Sequence, residues 1–576
     1  MIVVLKNQIK NIIEAYFDDK YEKDIEIITE EPKKLSLGDI AIPSFSVVKV
    51  LRKPPVEVAN EIKATLENSN LPLAKIEVVG GYVNIFLDKE KMAGDILYNA
   101  IKNDEKYASS TIGNGKTMVL DYSSPNIAKS FSIGHLRSTV IGNSLKLILQ
   151  KCGYNTVAIN YIGDWGTQFG KMIVAIEKWG NIEEIKKDPI NILSELYVRI
   201  NNEEKEHPEL AEEAREAFRK IELGEQKYVD MWKWIRQESL KESEQIYNLL
   251  DVNFDSFNGE AFFNDKMQRV IDILENKKLL KEDQGAQIVD LGEDIPPALI
   301  KRSDGGSLYI TRDLAAVMWR KETYNADKLL YVVGNEQKLH FIQLKNVIEK
   351  MDLPYADDIC HINFGLVLKD GKKMSTRKGN VVKLYDILIQ AIEAAKNQIE
   401  EKNPDLPNKD DVAKKVGVGA VIFNDLKNYR ALDYEFDVNQ MVKFEGQTGP
   451  YLQYTGVRIA SIIRNQNIDL TNLDLSLFDK EHYYEVIKLV GDFDDVITDA
   501  AKEYAPSIIA RYLLDLASSF NKFYSIERIN TEDEKIRNTN FALAKAVRIV
   551  LNEGLRLLGI KYLEKMWWYV QQKEIN

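Results

Sequence analysis

The residues best suited to chemistry lie between 117 and 140, in the segment TMVLDYSSPNIAKSFSIGHLRSTV. A short apolar run breaks at Ser123 and a helical pattern begins near Gly134, so the segment predicts a strand, a loop and a helix N-terminus. The backbone N–H groups and helix dipole at such an N-terminus favour a phosphate. Gly134 lets a phosphate or a flat base approach the backbone, His135 can donate a hydrogen bond, and Lys129 supplies a mobile cation. The segment is thus suited to phosphate binding, although most strand-loop-helix junctions of this kind are ordinary α/β packing.

A second segment of similar character occupies residues 370 to 382, DGKKMSTRKGNVV. Its lysines, glycines and hydroxyl side chains suit a phosphate-facing loop, although a solvated basic turn has the same composition. The candidate phosphate contacts within it are Lys373, Met374 and Ser375. Neither segment is specific alone, and their joint occurrence in one chain is the stronger signal.

Together, GH at the first helix start and KMS in the later loop resemble the two ATP-handling motifs of class I aminoacyl-tRNA synthetases. Within that class, several further stretches are similar to arginyl-tRNA synthetase: SSPNIAK, GDWGTQFG, SLYITRDLAA, YVVGNEQKLHF, FEGQTGPYLQYTGVRIASI and LRLLGI. The resemblance implies an arginine–tRNA ligase. It would activate L-arginine with ATP and Mg²⁺ as arginyl-adenylate and transfer it to the terminal adenosine of tRNA(Arg), giving AMP and pyrophosphate. It also implies that activation requires bound tRNA.

The resemblance implies five contacts for the arginine substrate. Asp121, Tyr309 and Asp313 would bind the guanidinium, for which planar, charged acceptors are the best partners. Asp313 follows Tyr309 by four residues, so on a helical start both can face one pocket. Asn126 and Gln337 match positions that hold the α-groups of the amino acid. At Asp121 many members of the family carry glutamate, so this shorter carboxylate is expected to reach the guanidinium only through water.

The same resemblance assigns the ATP site. Its implied contacts are Ser132, Gly134, His135, Lys373, Met374 and Ser375. Lys129, His135 and Lys373 are the implied catalytic groups, because the reaction needs charge stabilisation and positioning and no covalent nucleophile. Two positions depart from the family motifs: Ser132 replaces the first histidine of HxGH, and Thr376 replaces the second lysine of the KMSK-like loop. We predict that Lys129 supplies the missing charge.

The elements that must position these residues follow from the apolar pattern. Strands and helices alternate from about residue 113, which predicts an α/β, Rossmann-like catalytic domain at 111 to 440, with its site at the carboxyl ends of parallel strands. Residues 180 to 285 are predicted to be a largely helical, charged insertion. Residues 1 to 110 predict a small α+β domain, and 441 to 576 an all-α bundle. The resemblance implies that the first contacts tRNA and the last binds the anticodon.

Composition restricts the class of protein further. The chain has 576 residues, of which 45% are apolar and 29% charged, as in ordinary globular proteins. No run reaches the roughly 18 apolar residues of a membrane span, and the N-terminus has no cleavage signal. We expect a cytoplasmic monomer without a membrane partner. The net charge of −12 argues weakly against a nucleic-acid partner, although binding follows local patches and not the sum.

Cysteine and histidine usage gives no metal site. Cys152 and Cys360 are far apart and not near paired histidines, so neither a disulfide nor a zinc site is predicted. Of the histidines only His135 has a functional context, and His340 and His361 are predicted to be structural.

Two other interpretations stay open. A class I ligase for another amino acid or a small amine would share only the ATP site, and the match of several separate stretches to one family disfavours it. A tRNA-binding relative without activity would explain Ser132, but Gly134, His135 and Lys373 are all retained. Aminoacylation of tRNA with each amino acid in turn separates the three.

Overall fold

The computed structural model describes residues 2–30, 32, 37–126, 131–301, 309–374 and 383–565, with the backbone alone at Tyr309 and Lys373. Several residues predicted to act lie outside this description: Lys129, Ser375, Thr376 and the side chains of Tyr309 and Lys373. Among the residues described, no helix is long and apolar enough to cross a membrane.

The first unit has its own core. Its elements are α1 (Ile2–Tyr21), β1 (Ile40–Pro43), α2 (Phe45–Leu51), α3 (Pro55–Glu67), β2 (Leu73–Val79) and β3 (Tyr82–Leu87). The strands form an antiparallel sheet in the order β1-β3-β2. Alternate residues of β3, Val83 and Ile85, are buried in a cluster with Ile9 of α1 and Ile62 of α3. The predicted α+β domain is confirmed.

The helix α4 (Lys89–Asn103) lies between this unit and the parallel sheet. The sheet region begins as predicted, with a strand, a loop and a helix, and its first elements are β4 (Thr117–Asp121), α5 (Ile133–Lys151), β5 (Asn155–Ile159) and α6 (Thr167–Trp179). β4 pairs in parallel with β5, and the crossover between them runs through α5. The carboxyl end of β4 therefore faces the N-terminus of α5, as a Rossmann-like unit requires.

The segment after α6 begins with helices and ends in a small antiparallel sheet. Its elements are α7 (Ile182–Lys187), α8 (Pro189–Glu203), α9 (Glu209–Glu222), α10 (Gln226–Leu250), α11 (Met267–Asn276), β6 (Leu280–Asp283), β7 (Ala286–Val289) and β8 (Ala298–Lys301). The prediction of a largely helical segment at 180 to 285 agrees with α7 to α11 and misses β6. β7 and β8 lie after residue 285 and complete an antiparallel sheet in the order β6-β7-β8. Gln284 and Gly285 both have positive φ, 49° and 79°, which is the geometry of a two-residue hairpin turn.

The second half completes the parallel sheet. Its elements are α12 (Tyr309–Tyr324), β9 (Lys328–Gly334), α13 (Lys338–Lys350), β10 (Ile359–Phe364), β11 (Val367–Lys369), β12 (Lys372–Lys373), α14 (Leu384–Lys402), α15 (Lys409–Leu426), β13 (Tyr434–Glu435) and α16 (Val438–Met441). The sheet order is β10-β9-β4-β5, and every pair is parallel. β10 and β11 are separated at Gly365, where a Cβ would lie 2.5 Å from Asp433 Oδ1.

The C-terminal region is all helical, as predicted, apart from short turns. Its helices are α17 (Gly449–Ile462), α18 (Glu481–Gly491), α19 (Phe493–Lys502), α20 (Pro506–Ile526) and α21 (Glu534–Leu557). One core cluster contains residues of both this bundle and α5. At the far end of α5, Lys151 Nζ lies 2.8 Å from Glu553 Oε1, with both side chains 4% exposed, and Ser144 Oγ donates to the Leu557 carbonyl at 2.8 Å.

Candidate active site

The loop after β4 is held in an unusual backbone conformation. Ser123 and Ser124 both have positive φ, 72° and 46°, which is uncommon outside glycine. Polar contacts stabilise it: the Ser123 N–H donates to Ser138 Oγ at 2.8 Å, and the Ser124 N–H donates to Asn160 Oδ1 at 3.2 Å. The loop thus turns the chain away from the sheet at a fixed angle.

After this turn, Asn126 lies beside Gly163, which follows β5. The Gly163 N–H donates to the Pro125 carbonyl at 3.0 Å, and a Cβ at Gly163 would lie only 2.3 Å from Asn126 Oδ1. A side chain at Gly163, the first glycine of the GDWGTQFG stretch, would therefore displace the amide of Asn126. Asn126 itself is exposed, as a contact for the substrate needs to be.

The N-terminus of α5 fixes the imidazole of His135. Ser132 is the N-cap, and its backbone N–H donates to His135 Nδ1 at 3.1 Å, with Ser132 Oγ 3.2 Å from the same nitrogen. Because Nδ1 accepts this bond, the neutral ring carries its proton on Nε2. Gly134 is exposed, and among the described residues the one atom within 4 Å of a Cβ built there is Ser132 Oγ, at 3.5 Å. At the start of α5, an exposed glycine thus lies beside an imidazole that can donate a hydrogen bond from Nε2.

The described residues on either side of the later loop contact the region around the start of α5. Ser132 forms a β-bridge with Lys383, and the Leu384 N–H donates to the Phe131 carbonyl at 2.9 Å. At the other end of the loop, the Met374 N–H donates to the Val367 carbonyl at 3.2 Å. The described residues at both ends of the KMS segment therefore connect it to the core that carries α5.

Asp313 has the environment of a binding carboxylate. It lies in the first turns of α12, where Oδ1 accepts from the Tyr161 hydroxyl at 3.2 Å and Oδ2 lies 2.7 Å from His340 Nε2. Its side chain keeps 23% exposure. Gln337 is exposed at the end of a short turn that follows β9. Tyr309 is the first residue of α12, so the backbone spacing predicted for Tyr309 and Asp313 occurs.

Asp121 has a different environment. It is buried at the end of β4, where Oδ2 lies 2.8 Å from Arg320 Nη1 and Oδ1 accepts from Ser124 Oγ at 2.8 Å. The Arg320 guanidinium also lies over the rings of Tyr161 and Tyr331, 5.0 and 5.5 Å from their centroids. Burial raises the pKa of the Asp121 carboxyl, whereas Arg320 and Ser124 favour its charged form. A guanidinium of the chain itself is thus bound next to the proposed substrate pocket.

A further carboxyl lies behind this pocket. Glu260 is buried, and its Oε2 is 3.5 Å from Arg312 Nη1 on α12. Burial raises the pKa of Glu260 to about 7, opposed by the charge of Arg312 and reinforced by those of Asp313 and Asp164. This carboxyl therefore titrates near neutral pH.

Sequence reasoning missed Arg320 and Tyr161 and assigned His340 a structural role. Arg320 follows Asp313 by seven residues, two helical turns, and a charged residue three and four positions after the apolar Val317 and Ala316 was the available signal. His340 follows Gln337 by three residues, which places both at one helix start. His361 has a structural contact, since Nε2 lies 3.0 Å from the Val333 carbonyl of the neighbouring strand.

Three family descriptions match consecutive parts of the chain. Residues 4–87 match "Arginyl tRNA synthetase N terminal domain", residues 96–438 match "tRNA synthetases class I (R), catalytic domain", and residues 452–566 match "DALR anticodon binding domain". The order of these three agrees with the α+β unit, the parallel sheet and the helical bundle described above.

Curated relatives are similar over almost the whole chain. A protein of Enterococcus faecalis named arginine–tRNA ligase is 50% identical over 543 residues, 94% of this chain and 96% of that one. A Latilactobacillus sakei protein of the same name is 49% identical, covering 95% and 96%. Among solved structures, the arginyl-tRNA synthetase of Thermus thermophilus has a TM-score of 0.82 at 24% identity, covering 98% of this chain and 100% of that one. That of Plasmodium falciparum has a TM-score of 0.79 at 25% identity, covering 97% and 99%.

Proposed function

The chain belongs to the arginyl-tRNA synthetase family, and from that membership we propose that it is an arginine–tRNA ligase, which joins L-arginine to tRNA(Arg) at the expense of ATP. The observation that carries the choice of amino acid is Asp313, a partly exposed carboxylate held at both oxygens beside the strand ends. A fixed, planar acceptor of this kind suits a guanidinium better than an ammonium.

For arginine we propose two sets of contacts. Asp313 and Tyr309 receive the guanidinium, and Asn126 and Gln337 hold the α-groups at the exposed ends of β4 and β9. Asp121 stays among the proposed contacts, but its carboxylate already binds Arg320. Its main effect on the substrate is therefore to fix Arg320 and the loop through Ser124.

For ATP we propose that the phosphates lie over the N-terminus of α5, beside Ser132, Gly134 and His135. The Nε2–H of His135 faces them as a donor, because Nδ1 is occupied by the Ser132 N–H. Lys373, Met374 and Ser375 approach from the later loop. Negative charge grows on the bridging oxygen and pyrophosphate as the carboxylate of arginine attacks the α-phosphorus. Lys129, His135 and Lys373 stabilise that charge.

Mg²⁺ enters this proposal bound to the phosphates of ATP. The residues described contain no group of three or more His, Cys, Asp or Glu side chains placed to hold a metal ion. Mg²⁺ bound to ATP usually keeps several waters and phosphate oxygens as its ligands. It supplies charge neutralisation on the pyrophosphate when bound.

For tRNA we propose that the helical bundle binds the anticodon. A cleft in it is lined by basic and amide side chains, including Arg464, Gln466, Asn467, Lys545 and Arg548. A local patch of this kind can bind RNA despite the net charge of −12. The N-terminal α+β unit is proposed as a second contact for tRNA. A monomeric state and a cytoplasmic location complete the proposal.

Aminoacylation of unfractionated tRNA with each amino acid in turn tests the activity, and arginine alone is expected to be incorporated. Asp313→Ala should raise the KM for arginine at least tenfold, because a hydrogen bond to a charged group is worth about 1.5 to 3 kcal/mol. The KM for ATP should stay nearly unchanged. Incorporation of another amino acid would favour the rival ligase, and tRNA binding without any arginyl-tRNA would favour the inactive relative.

The tRNA requirement has its own test. We propose that bound tRNA completes a site that the free protein leaves misaligned. Arginine-dependent exchange of pyrophosphate into ATP should then be near zero until cognate tRNA is added. Strong exchange in its absence would reject this part of the proposal and leave the ligase activity standing.

A further inference from the structure

His340 makes a contact that the sequence did not predict. Its Nε2 lies 2.7 Å from Asp313 Oδ2, and the two side chains are similarly accessible, 22% and 23% exposed. They stand on different helices, Asp313 on α12 and His340 on α13, which flank β9. The contact therefore joins two elements at the carboxyl end of the sheet.

The geometry determines which atom donates. An ionised carboxylate only accepts hydrogen bonds, so His340 Nε2 carries the proton. The Tyr161 hydroxyl occupies the other oxygen, Oδ1, at 3.2 Å. Each carboxylate oxygen has two acceptor sites, and within the part of the chain that the structure describes one site on each oxygen is left for a second donor. Two donors on opposite oxygens hold the plane of the carboxylate, and the remaining acceptor sites match the paired N–H groups of a guanidinium.

His340 is itself held by its surroundings. Its ring meets the ring of Phe341 edge to face, with centroids 5.5 Å apart, and Phe341 stacks on His361 of β10 at 4.4 Å. His340 also lies one helical turn after Gln337, the proposed contact for the α-groups. The imidazole of His340 thus contacts the proposed acceptor of the guanidinium, and its residue lies one helical turn from the proposed contact for the α-groups.

We infer that His340 is a positioning residue, which orients the Asp313 carboxylate so that it can accept the guanidinium of the substrate. The inference rests on the proposed ligase activity and on Asp313 as the guanidinium acceptor. Without the imidazole, the carboxylate of Asp313 rotates about its side-chain bonds and loses the plane in which two parallel N–H···O bonds can form.

The test compares His340→Ala with His340→Gln in arginylation by the full-length protein with tRNA. Loss of one donor to a charged group should raise the KM for arginine about tenfold or more, with the KM for ATP within about twofold, since this replacement removes no ATP contact. Glutamine places an amide N–H near the position of Nε2, so His340→Gln should recover most of the lost affinity. Agmatine, which keeps the guanidinium and the amine but has no α-carboxylate, depends more on the guanidinium contacts than arginine does, and its inhibition should weaken in parallel with the rise in the KM for arginine.

The chain offers a matched control in His482. Its Nε2 lies 2.8 Å from Glu527 Oε1, with exposures of 20% and 21%, but this pair is in the helical bundle. His482→Ala should therefore change thermal stability about as much as His340→Ala and leave the KM for arginine and inhibition by agmatine unaltered.

The outcomes separate the inference from the activity it rests on. A wild-type protein that forms no arginyl-tRNA removes the proposed function. The inference about His340 is overturned, and the proposed function is not, if the wild type is active and His340→Ala keeps its KM for arginine and its inhibition by agmatine. A His340→Gln variant as impaired as His340→Ala, or an equal loss of affinity for ATP and arginine, also overturns it, since either result indicates general damage to the fold.

Discussion

Asp121 Oδ2 lies 2.8 Å from Arg320 Nη1, and both side chains are buried. The two carboxylates predicted to bind arginine therefore differ. Asp313 is partly exposed, whereas the charge of Asp121 is already neutralised by Arg320. The Nε and Nη2 atoms of Arg320 have no hydrogen-bond partner among the described residues. Arg320 therefore depends on Asp121 for its countercharge.

Asp121→Asn should destabilise the protein. Breaking a buried pair by removing one partner costs about 3 to 5 kcal/mol, because the other charge stays buried. Replacing both partners with apolar residues, Asp121→Leu with Arg320→Met, should recover most of that loss. Chemical denaturation of the three proteins measures the difference. Unchanged stability of Asp121→Asn, together with a large rise in the KM for arginine, would instead assign Asp121 directly to the substrate.

The contacts of His135 predict that Ser132 tolerates replacement. The bond that fixes the imidazole comes from the backbone N–H of Ser132, which Ser132→Ala retains. We expect its kcat/KM for ATP to fall less than about threefold, whereas His135→Ala removes a donor to the phosphates and should lower the rate about a hundredfold. Steady-state kinetics of both variants checks this. Equal losses would mean that the serine hydroxyl contacts the phosphates itself.

Lys129 and Thr376 form a linked prediction from the sequence, at positions outside the described residues. A cation that acts on the developing charge of pyrophosphate stabilises the transition state more than bound ATP. Lys129→Ala should therefore lower kcat for activation about a hundredfold with little change in ATP affinity, and Thr376→Lys should restore part of it. A loss below about threefold, while Lys373→Ala is strongly impaired, would show that another cation has this role.

Glu260 predicts how stability changes with pH. Its pKa is about 7 in the folded protein, raised by burial from an ordinary value of 4.5. Between these two values the folded state binds a proton that the unfolded state has released. Stability contributed by this group is therefore fully present below pH 4.5 and is lost as the pH rises to about 7, by roughly 3 kcal/mol in all.

Glu260→Gln keeps the shape of the protonated carboxyl and removes its titration. The variant and the wild type should have similar thermal midpoints near pH 5, and the variant should be relatively more stable at pH 8. Thermal denaturation across this range, with the midpoint difference plotted against pH, is the measurement. A difference that stays constant with pH would mean that Glu260 does not titrate in this window.

Patterns within one element were predictable from the sequence. The apolar run before Ser123 located β4, the helical pattern near Gly134 located α5, and the break between them located the loop. Contacts between elements were not predictable in this way. Whether Asp121 faces a substrate or Arg320 depends on how α12 packs against β4, and whether His340 is structural depends on the distance between α12 and α13. The break at Gly365 likewise comes from the approach of Asp433, 68 residues later in the chain.

The buried contact of Lys151 with Glu553 has a consequence for how the chain can be divided. The catalytic sheet and the helical bundle are separate in sequence, yet each supplies one charge to a pair shielded from water. A fragment that ends before the bundle would keep the ammonium of Lys151 without its carboxylate and would leave an apolar side of α5 facing solvent. In a chimera that takes its bundle from a relative, Lys151 and Glu553 have to be transferred as a unit. The catalytic region and the bundle can therefore be exchanged between relatives only if the residues of their shared core are exchanged with them.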